Sequence, residues 1–251
     1  MTEPRVIEID GDVVRRPAKP WTATVHSLLR HLHGSGLPVP EPLDRDERFE
    51  WVRLLPGDGG DAAWPHQVGL EGVRSAARML RRIHDATSGW APPADAAWAV
   101  PAEGSEIIAH GDPKPGNMAW IDGRAVGLFD WDAARPADRM SDVAYALEYL
   151  VPFESAAGEL AHRGFSAPPD RAARLDAFLD AYGWSAPFDV IDAVVRRQHQ
   201  AIDEVVLAGA QGHEPEATWV AAGAPAQWVG KLATTRSLAP EISGSRWVAT
   251  S

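Results

Sequence analysis

The 251-residue sequence contains no cysteine. This absence excludes disulfide bonds, thiolate catalysis and cysteine-ligated zinc sites, and it fits a cytoplasmic protein. The chain also lacks an apolar run of membrane-spanning length, and residues 1–5 lack the basic-then-apolar pattern of a signal peptide. We therefore expect no membrane partner. The formal net charge of −11 argues against a nucleic-acid partner, which needs a basic surface, and is compatible with a cationic small molecule.

The first part of the sequence is rich in strand signals. Residues 5–9 and 13–16 flank the hairpin turn Asp10-Gly11-Asp12, and residues 50–55 form another strand pattern. Between them, residues 22–32 repeat apolar side chains at helical spacing. The turn-rich segment 56–60 then divides the sequence, which predicts an N-terminal lobe of residues 1–57 and a C-terminal lobe of residues 58–251.

The second part of the sequence is dominated by helical patterns. Four segments repeat apolar residues at helical spacing, namely residues 73–83, 142–150, 171–182 and 190–207. Hydrophobic residues make up 45% of the chain and charged residues 24%, which is the composition of an ordinary globular protein. We therefore expect an α+β fold whose larger part is helical.

The strongest functional signal is the segment His110-Gly-Asp-Pro-Lys-Pro-Gly-Asn117, followed by Phe129-Asp-Trp-Asp132. The spacing His-x-Asp-x-x-x-x-Asn is that of a kinase catalytic loop, in which the Asp faces the attacking hydroxyl and the Asn holds a magnesium ion. In this chain these residues are Asp112 and Asn117. Asp130 stands downstream, where a second metal ligand is needed.

The residues between these two segments predict their relative position. Two strand-like runs, residues 118–121 and 125–129, are separated by Asp122-Gly123, a strong signal for a tight hairpin. In such a hairpin Asn117 and Asp130 emerge at the same end and can share a magnesium ion, which prefers oxygen ligands. The alternative is that these residues only form turns and caps around the prolines and glycines of the loop.

The two segments resemble the aminoglycoside phosphotransferase family, small-molecule kinases of the protein-kinase-like fold that are related to choline and homoserine kinases. The matching residues are the loop 110–117, the segment 129–132, Asp142 and the helix end 80–84. The resemblance implies a protein-kinase-like two-lobed fold with a reduced β-rich N-terminal lobe and a mainly helical C-terminal lobe. It also implies ATP or GTP as the phosphoryl donor and Mg²⁺ as the metal.

Carried over residue by residue, the resemblance implies a role for each motif residue. Asp112 orients or deprotonates the acceptor hydroxyl, and Asn117 and Asp130 bind magnesium. Lys114 stands where protein kinases carry a lysine whose charge can neutralise the transferring phosphoryl group. The alternative for Lys114 is a solvated loop lysine.

The N-terminal lobe departs from the family pattern. Only 14 residues precede Arg15, too few for the usual two strands and glycine-rich loop, and Arg15 occupies the position of the strand lysine that contacts phosphates. Alternation sends Arg16 to the opposite face of the strand, and Arg16 is the alternative if the register differs by one residue. The next helix offers His26 and no glutamate, so the usual lysine–glutamate pair is absent or has another partner. Leu54 and Leu55, at the end of the following strand, are assigned to the nucleotide site with Arg15.

These residues predict transfer of the γ-phosphoryl group of ATP or GTP to a hydroxyl of a small molecule, with an aminoglycoside-like antibiotic as one candidate acceptor. Two alternatives remain open. The first is a catalytically weak kinase-like protein that binds a ligand or toxin, for example as an immunity factor, and the reduced N-terminal lobe favours it. The second is a metal-dependent hydrolase that uses Asp112, Asp130 and Asp132 as a carboxylate cluster, although it leaves the spacing of Asn117 unexplained.

Several other polar and aromatic residues have structural interpretations. His110 is expected to brace its loop by hydrogen bonding rather than to take part in chemistry. Trp219 and Trp228 are interpreted as core residues, with stacking in a substrate pocket as the alternative. The acidic residues of the late helices, Glu204 among them, are interpreted as a solvated face, with binding of a cationic substrate as the alternative.

Overall fold

The computed structural model describes residues 7–248. Its N-terminal part is an antiparallel sheet of four strands in the order β1-β2-β4-β3. The strands are β1 (Glu8–Asp10), β2 (Val13–Pro17), β3 (Pro42–Arg45) and β4 (Phe49–Arg53). The predicted first hairpin is therefore present, closed by residues 10–13, although residues 5 and 6 of its first strand lie outside the described residues.

Helix α1 (Thr22–Gly34) crosses from β2 to β3. The apolar residues that predicted it all point into the core, because Val25, Leu28, Leu29 and Leu32 are each at most 2% exposed. Strand β4 ends at Arg53, two residues earlier than the sequence pattern suggested, so Leu54 and Leu55 lie in the connection that leaves the sheet. This connection coincides with the predicted division between residues 57 and 58, and the lobe boundary itself stays a prediction.

The rest of the described chain is mainly helical. A 3-10 segment (Gly60–Gln67) leads into α2 (Leu70–Thr87), and six further helices follow in the described residues. These are α3 (Arg139–Leu150), α4 (Ala157–His162), α5 (Arg171–Tyr182), α6 (Val190–Ala210), α7 (Glu216–Ala221) and α8 (Ala224–Ser237), followed by a 3-10 turn (Ala239–Ile242). The helical segments predicted from spacing are all confirmed, with ends shifted by up to four residues.

Two short antiparallel pairs lie between α2 and α3. Strand β5 (Ile107–Ala109) pairs with β8 (Arg135–Ala137), and β6 (Met118–Ile121) pairs with β7 (Arg124–Leu128). The β6–β7 turn is Asp122-Gly123, and both residues have positive φ values of 48° and 72°. This conformation is the one that closes a two-residue hairpin with the right twist, which is why the sequence signal was reliable.

Helix α2 forms the centre of the hydrophobic core. Its residues Val73, Ala76, Leu80 and Ile83 are fully buried, and the helix packs against α5 and strand β7. Burial of such a stripe of apolar side chains contributes the main stabilisation of a helix of this kind. Within residues 7–248, no helix combines the length and the apolar character needed to cross a bilayer.

Candidate active site

The loop between β5 and β6 is fixed from inside by His110. The fully buried His110 ring donates from Nε2 to the carbonyl oxygen of Phe129 (2.9 Å), and its Nδ1 accepts the backbone N–H of Asp112 (3.2 Å). Gly111 has a φ of 87°, and a side chain at this position would collide with the carbonyl of Ala133. The bracing role predicted for His110 is therefore confirmed, and Gly111 explains why the loop can turn so close to the segment after β7.

A buried carboxylate on α3 holds the same loop from the other side. Asp142 accepts the backbone N–H groups of His110 (2.7 Å) and Gly111 (2.8 Å), and His84 Nε2 donates to it at 3.0 Å. The second nitrogen of His84 lies 2.7 Å from the Tyr182 hydroxyl. Burial alone would raise the pKa of Asp142, but the hydrogen bond and charge of His84 together with the charge of His110 hold it well below its usual value.

Asp112 lies on this loop, and one of its two carboxylate oxygens accepts hydrogen bonds. Its Oδ2 accepts the Lys114 ammonium (2.7 Å) and the Asn117 amide (2.8 Å). Its Oδ1 is buried and has no hydrogen-bond partner among the described residues. An unpaired carboxylate oxygen in a buried position is costly unless another group reaches it, so Oδ1 is the atom of this loop that a ligand hydroxyl would satisfy.

The β6–β7 hairpin brings Asn117 and Asp130 together. Met118 pairs with Leu128, and the backbone N–H of Phe129 donates to the carbonyl of Asn117 at 2.9 Å. Asp130 follows directly, with a left-handed backbone (φ 63°, ψ 65°) that turns its side chain out of the strand direction. The expected emergence of both residues at one end of the hairpin is therefore observed, and their oxygens are of the kind that Mg²⁺ prefers.

The carboxylates do not form the cluster that a metal-dependent hydrolase would require. Among residues 7–248, no group of three or more His, Cys, Asp or Glu side chains is placed to hold a metal ion. Asp130 and Asp132 instead lie on either side of one arginine.

That arginine is Arg16. Its Nη1 lies 3.0 Å from Asp130, its Nη2 3.1 Å from Asp132 and its Nε 2.8 Å from Glu50, and its side chain is 11% exposed. Burial alone would lower the pKa of Arg16, but the charges of Asp132, Glu50 and Asp130 raise it well above its usual value.

The expected orientation of Arg15 is wrong. Arg15 lies opposite Glu8 on β1, pairs with it at 2.5 Å, and packs its guanidinium 3.7 Å from the centroid of the Phe49 ring. The two arginines do point to opposite faces, as alternation requires, but cross-strand pairing sets Arg16 opposite Glu50 on the face that reaches Asp130.

Glu50 and His26 complete this network, and the sequence did not identify their pairing. Glu50 is 1% exposed on β4, and the fully buried His26 of α1 donates from Nε2 to its Oε2 at 2.8 Å. The available signal was that Glu50 is the one carboxylate of β4, next to the apolar residues Phe49, Trp51 and Val52. Arg16, Glu50 and His26 thus form one buried network that reaches Asp130.

Leu54 and Leu55 lie apart from the residues just described. The Leu54 side chain is 40% exposed, and its backbone N–H donates to the carbonyl of Asp12. Leu55 packs against Gly127 of β7. Neither residue lines the cavity next to Asp112. The structure therefore places them at the exit of the sheet, away from Arg16.

A cavity of about 450 Å³ opens beside Asp112 and Asp130. Its walls come from the loop that carries Asp112, from α3 and α6, and from α7 and α8, with Lys19 and Trp21 on the N-terminal side. The interpretation of Trp219 and Trp228 as core residues is wrong, because both line this cavity and Trp219 is 41% exposed. Their positions depend on how α7 and α8 pack on α6, which local sequence patterns do not reveal.

Glu204 is also misassigned as part of a solvated face. It lines the cavity and pairs with two arginines, Arg135 at 2.8 Å and Arg197 at 3.2 Å, whose side chains are 0% and 2% exposed. Burial raises the pKa of Glu204 despite these two positive charges. Arg197 also donates to the carbonyl of Gly111 at 2.9 Å, so α6 is tied directly to the loop that carries Asp112.

The model of the APH group, described as the phosphotransferase enzyme family, matches residues 10–101 and 94–188. The chain belongs to this family. It is therefore a member of the aminoglycoside phosphotransferase family with a protein-kinase-like fold, as the sequence segments predicted.

Individual relatives agree with this family assignment. The chain is 34% identical over 191 residues to a trifolitoxin immunity protein of Rhizobium leguminosarum bv. trifolii, covering 70% of this chain and 69% of that protein. A choline/ethanolamine kinase family protein from Mesorhizobium loti shares the fold with a TM-score of 0.58 at 16% identity, over 97% of this chain and 88% of its own. A spectinomycin phosphotransferase in complex with ADP and spectinomycin gives a TM-score of 0.55 at 10% identity, over 92% and 84%.

Proposed function

We propose that the protein transfers the γ-phosphoryl group of ATP or GTP to a hydroxyl of a small molecule. The observation that carries the proposal is the buried, unpartnered Oδ1 of Asp112 at the wall of a cavity that also contains Asp130. A carboxylate that is hydrogen-bonded through one oxygen and unpaired at the other is suited to accept the proton of an attacking hydroxyl. The cytoplasm, which supplies both nucleotides, is the location that this reaction implies.

In this proposal Asp112 positions the acceptor hydroxyl and takes its proton. Lys114 and Asn117 fix the carboxylate by binding Oδ2, so that Oδ1 keeps one direction. Most of the catalytic effect then comes from positioning and from charge neutralisation, because phosphoryl transfer passes through a loose transition state.

Asn117 and Asp130 would hold Mg²⁺, and Arg16 would contact the phosphates. The hairpin register and the oxygen chemistry of both side chains support the metal assignment. When bound, the ion would neutralise charge on the phosphate oxygens. The planar fork of Arg16 is suited to phosphate oxygens, and its contacts with Asp130 and Asp132 already direct it towards the metal ligands.

The nucleotide base would lie near Leu54 and Leu55, where the chain leaves the sheet. The ADP held by the spectinomycin phosphotransferase of the same fold supports a nucleotide site in this chain. The short β1–β2 hairpin provides no glycine-rich loop over the phosphates among the described residues. We therefore expect nucleotide affinity at the weak end for kinases.

A second candidate function is immunity against a toxin. The trifolitoxin immunity protein is the relative that favours it, and the engagement of Arg16 with three carboxylates is compatible with a protein that binds a ligand without turnover. The two candidates are separated by nucleotide use, because a binding protein needs no phosphoryl donor.

Isothermal titration calorimetry with MgATP and MgGTP tests the proposal. We expect weak binding of at least one nucleotide that depends on magnesium, and its loss in Asp130→Asn. Asp44→Asn, which changes an exposed carboxylate on β3, is the matched control and should bind as the wild type does. The absence of binding for both nucleotides at millimolar concentration, with and without magnesium, would favour the immunity protein instead.

A further inference from the structure

We propose that Arg197 of α6 is a positioning residue that sets the direction of Asp112. It acts through the backbone of Gly111, the residue directly before Asp112, although it lies 86 residues further along the chain than Gly111. Through Glu204 it is joined to a second arginine, which holds the segment after Asp130. The inference rests on the proposed phosphotransfer function, in which Asp112 takes the proton of the acceptor hydroxyl.

Both backbone polar groups of Gly111 are held by charged side chains. Its N–H donates to the buried carboxylate of Asp142 on α3 at 2.8 Å, and its carbonyl accepts Nη2 of Arg197 at 2.9 Å. Hydrogen bonds to charged groups are the stronger ones in proteins. These two groups belong to the peptide units before and after Gly111, and the second unit carries the nitrogen of Asp112. Arg197 thus fixes the peptide plane from which the Asp112 side chain departs.

The segment after Asp130 is held in the same way by Arg135 of β8. Its Nη1 donates at 3.1 Å to the carbonyl of Ala133, three residues after Asp130. Gly111 lies directly against this segment, because a side chain at Gly111 would collide with the carbonyl of Ala133 and with the guanidinium of Arg135. The two arginines therefore hold two touching segments, one on either side of their contact.

Glu204 of α6 connects the two arginines. Its Oε1 accepts Nη2 of Arg135 at 2.8 Å, and its Oε2 accepts Nη2 of Arg197 at 3.2 Å. Because each oxygen binds one arginine, the carboxylate sets the separation of the two guanidinium groups. Glu103 lies 2.6 Å from Arg135 and balances the second positive charge. Buried ion pairs are often no more stabilising than apolar packing, so the role of this network is to position the two carbonyl groups.

The surroundings of the Arg197 guanidinium direct it to these partners. The side chain is 2% exposed, and the guanidinium carbon lies 4.7 Å from the centroid of the Tyr145 ring on α3. Nη2 makes both hydrogen bonds, to Gly111 and to Glu204, while Nε and Nη1 have no hydrogen-bond partner among residues 7–248. Unpaired buried donors are costly, and an apolar side chain would avoid that cost. The two groups that Nη2 binds therefore explain why an arginine stands here.

Helix α6 also forms a wall of the cavity, which connects Arg197 to the acceptor. Four residues at successive turns of the helix line the cavity, namely Arg197, Ala201, Glu204 and Ala208. An acceptor that packs against this wall is positioned by the same helix that positions Asp112. The alignment of a base with its hydroxyl is sensitive, because a displacement of about 1 Å can cost 10²-fold in rate. Loss of Arg197 should thus lower turnover and leave nucleotide affinity unchanged.

Three variants separate positioning from charge balance. Arg197→Met removes the hydrogen bond to Gly111 and also leaves Glu204 with one cation fewer. Arg197→Met/Glu204→Gln removes the same hydrogen bond but restores the balance, because Arg135 keeps Glu103 as its counterion. Arg196→Met is the matched control, since Arg196 is the adjacent residue of α6, is 71% exposed and pairs with Asp192. Thermal unfolding checks that each variant is folded, and the double variant should recover stability that Arg197→Met loses.

Hydrogen exchange measured by mass spectrometry tests the loop without any nucleotide. In Arg197→Met and in the double variant, the amides of residues 110–117 should exchange roughly 10-fold faster than in the wild type, because a hydrogen bond to a charged group is lost beside them. The amides of the N-terminal sheet, residues 8–17 and 42–53, should keep their wild-type rates in the double variant. Arg196→Met should match the wild type in both regions.

Turnover is measured as phosphate release from MgATP or MgGTP, whichever the wild type binds, with water as the acceptor. We expect kcat to fall roughly 10- to 100-fold in Arg197→Met and in the double variant, because the base is no longer aligned. The KM for the nucleotide and its affinity in calorimetry should stay unchanged in both. Arg196→Met should turn over at the wild-type rate.

Three results would overturn the inference. The first is wild-type exchange of residues 110–117 in the double variant, and the second is faster exchange that extends equally to the N-terminal sheet. The third is recovery of the wild-type kcat in the double variant, which would assign Arg197 to charge balance alone. A wild type that binds neither nucleotide would instead refute the proposed phosphotransfer. The exchange measurement uses no nucleotide and would still decide whether Arg197 positions the loop.

Discussion

Replacing Arg16 with alanine should destabilise the protein far more than replacing Arg15. The Arg16 guanidinium is bound to Glu50, which is 1% exposed, so its removal leaves a buried carboxylate without its cation. Breaking a buried pair in this way costs about 3–5 kcal/mol. Arg15 pairs with Glu8 at the surface, where the two side chains are 33% and 54% exposed. An exposed pair is worth about 0–1 kcal/mol, so Arg15→Ala should have only a small effect.

Thermal unfolding measures the difference between the two variants as a change in Tm. For a chain of this size each kcal/mol shifts the Tm by about 2–4 °C, so Arg16→Ala should lower the Tm by roughly 6–20 °C and Arg15→Ala by no more than about 4 °C. The same scans with MgATP should show a stabilising shift for the wild type and for Arg15→Ala, and a smaller one for Arg16→Ala.

A double-mutant cycle with Glu50→Gln measures the interaction energy between Arg16 and Glu50. Glutamine removes the buried charge that Arg16 neutralises, so the cost of Arg16→Ala should fall by about 1–3 kcal/mol in the Glu50→Gln background. Equal destabilisation by Arg15→Ala and Arg16→Ala, or an unchanged cost of Arg16→Ala in that background, would refute the assignment of Arg16 to the inner face of β2.

The remaining predictions concern the loop and its supports. Asp112→Asn should lower turnover by about 10²- to 10⁴-fold, because a positioned base is lost, while calorimetry shows nearly unchanged nucleotide affinity. Asp130→Asn should instead weaken magnesium-dependent nucleotide binding, and identical behaviour of these two variants would contradict their separate roles. The depressed pKa of Asp142 means that its contribution to stability is fully present above its usual value of 3.8 and is lost as the pH falls further, towards the folded-state pKa. Urea unfolding between pH 6 and about pH 3 should therefore show a shallower loss of stability for Asp142→Asn than for the wild type, and equal slopes would argue against this linkage.

Local signals in the sequence predicted the parts of the site that are close together along the chain. Asn117 and Asp130 lie at the two ends of one hairpin. Because the turn Asp122-Gly123 closes this hairpin, the two residues emerge on the same side of it. The hydrogen-bonding role predicted for His110 concerns its own loop and is also local. In each of these cases a short stretch of backbone determines the geometry, so the residues themselves carry the information.

The orientation of β2 required partners distant in the sequence. Alternation shows that Arg15 and Arg16 face opposite sides, but it does not show which side faces the site. That choice depends on Glu8 of β1 and Glu50 of β4, which lie opposite the two arginines only once the sheet has formed. The sequence did not predict that Trp219 lines the cavity for the same reason, because the packing of α7 on α6 determines the position of this residue.

The Arg16–Glu50 pair changes how the side chain that we propose to contact the phosphates is held. In protein kinases the strand lysine is paired with a glutamate on a helix, so the position of that helix controls whether the site is assembled. Here the carboxylate belongs to β4, directly opposite Arg16 in the same sheet, and α1 contributes His26 through a single 2.8 Å hydrogen bond. Glu50 in the sheet and the two aspartates after β7 therefore fix the direction of Arg16, and a shift of α1 would break one hydrogen bond without releasing the arginine. A reduced N-terminal sheet can in this way keep a cation directed at Asp130 without the helix glutamate that the family pattern requires.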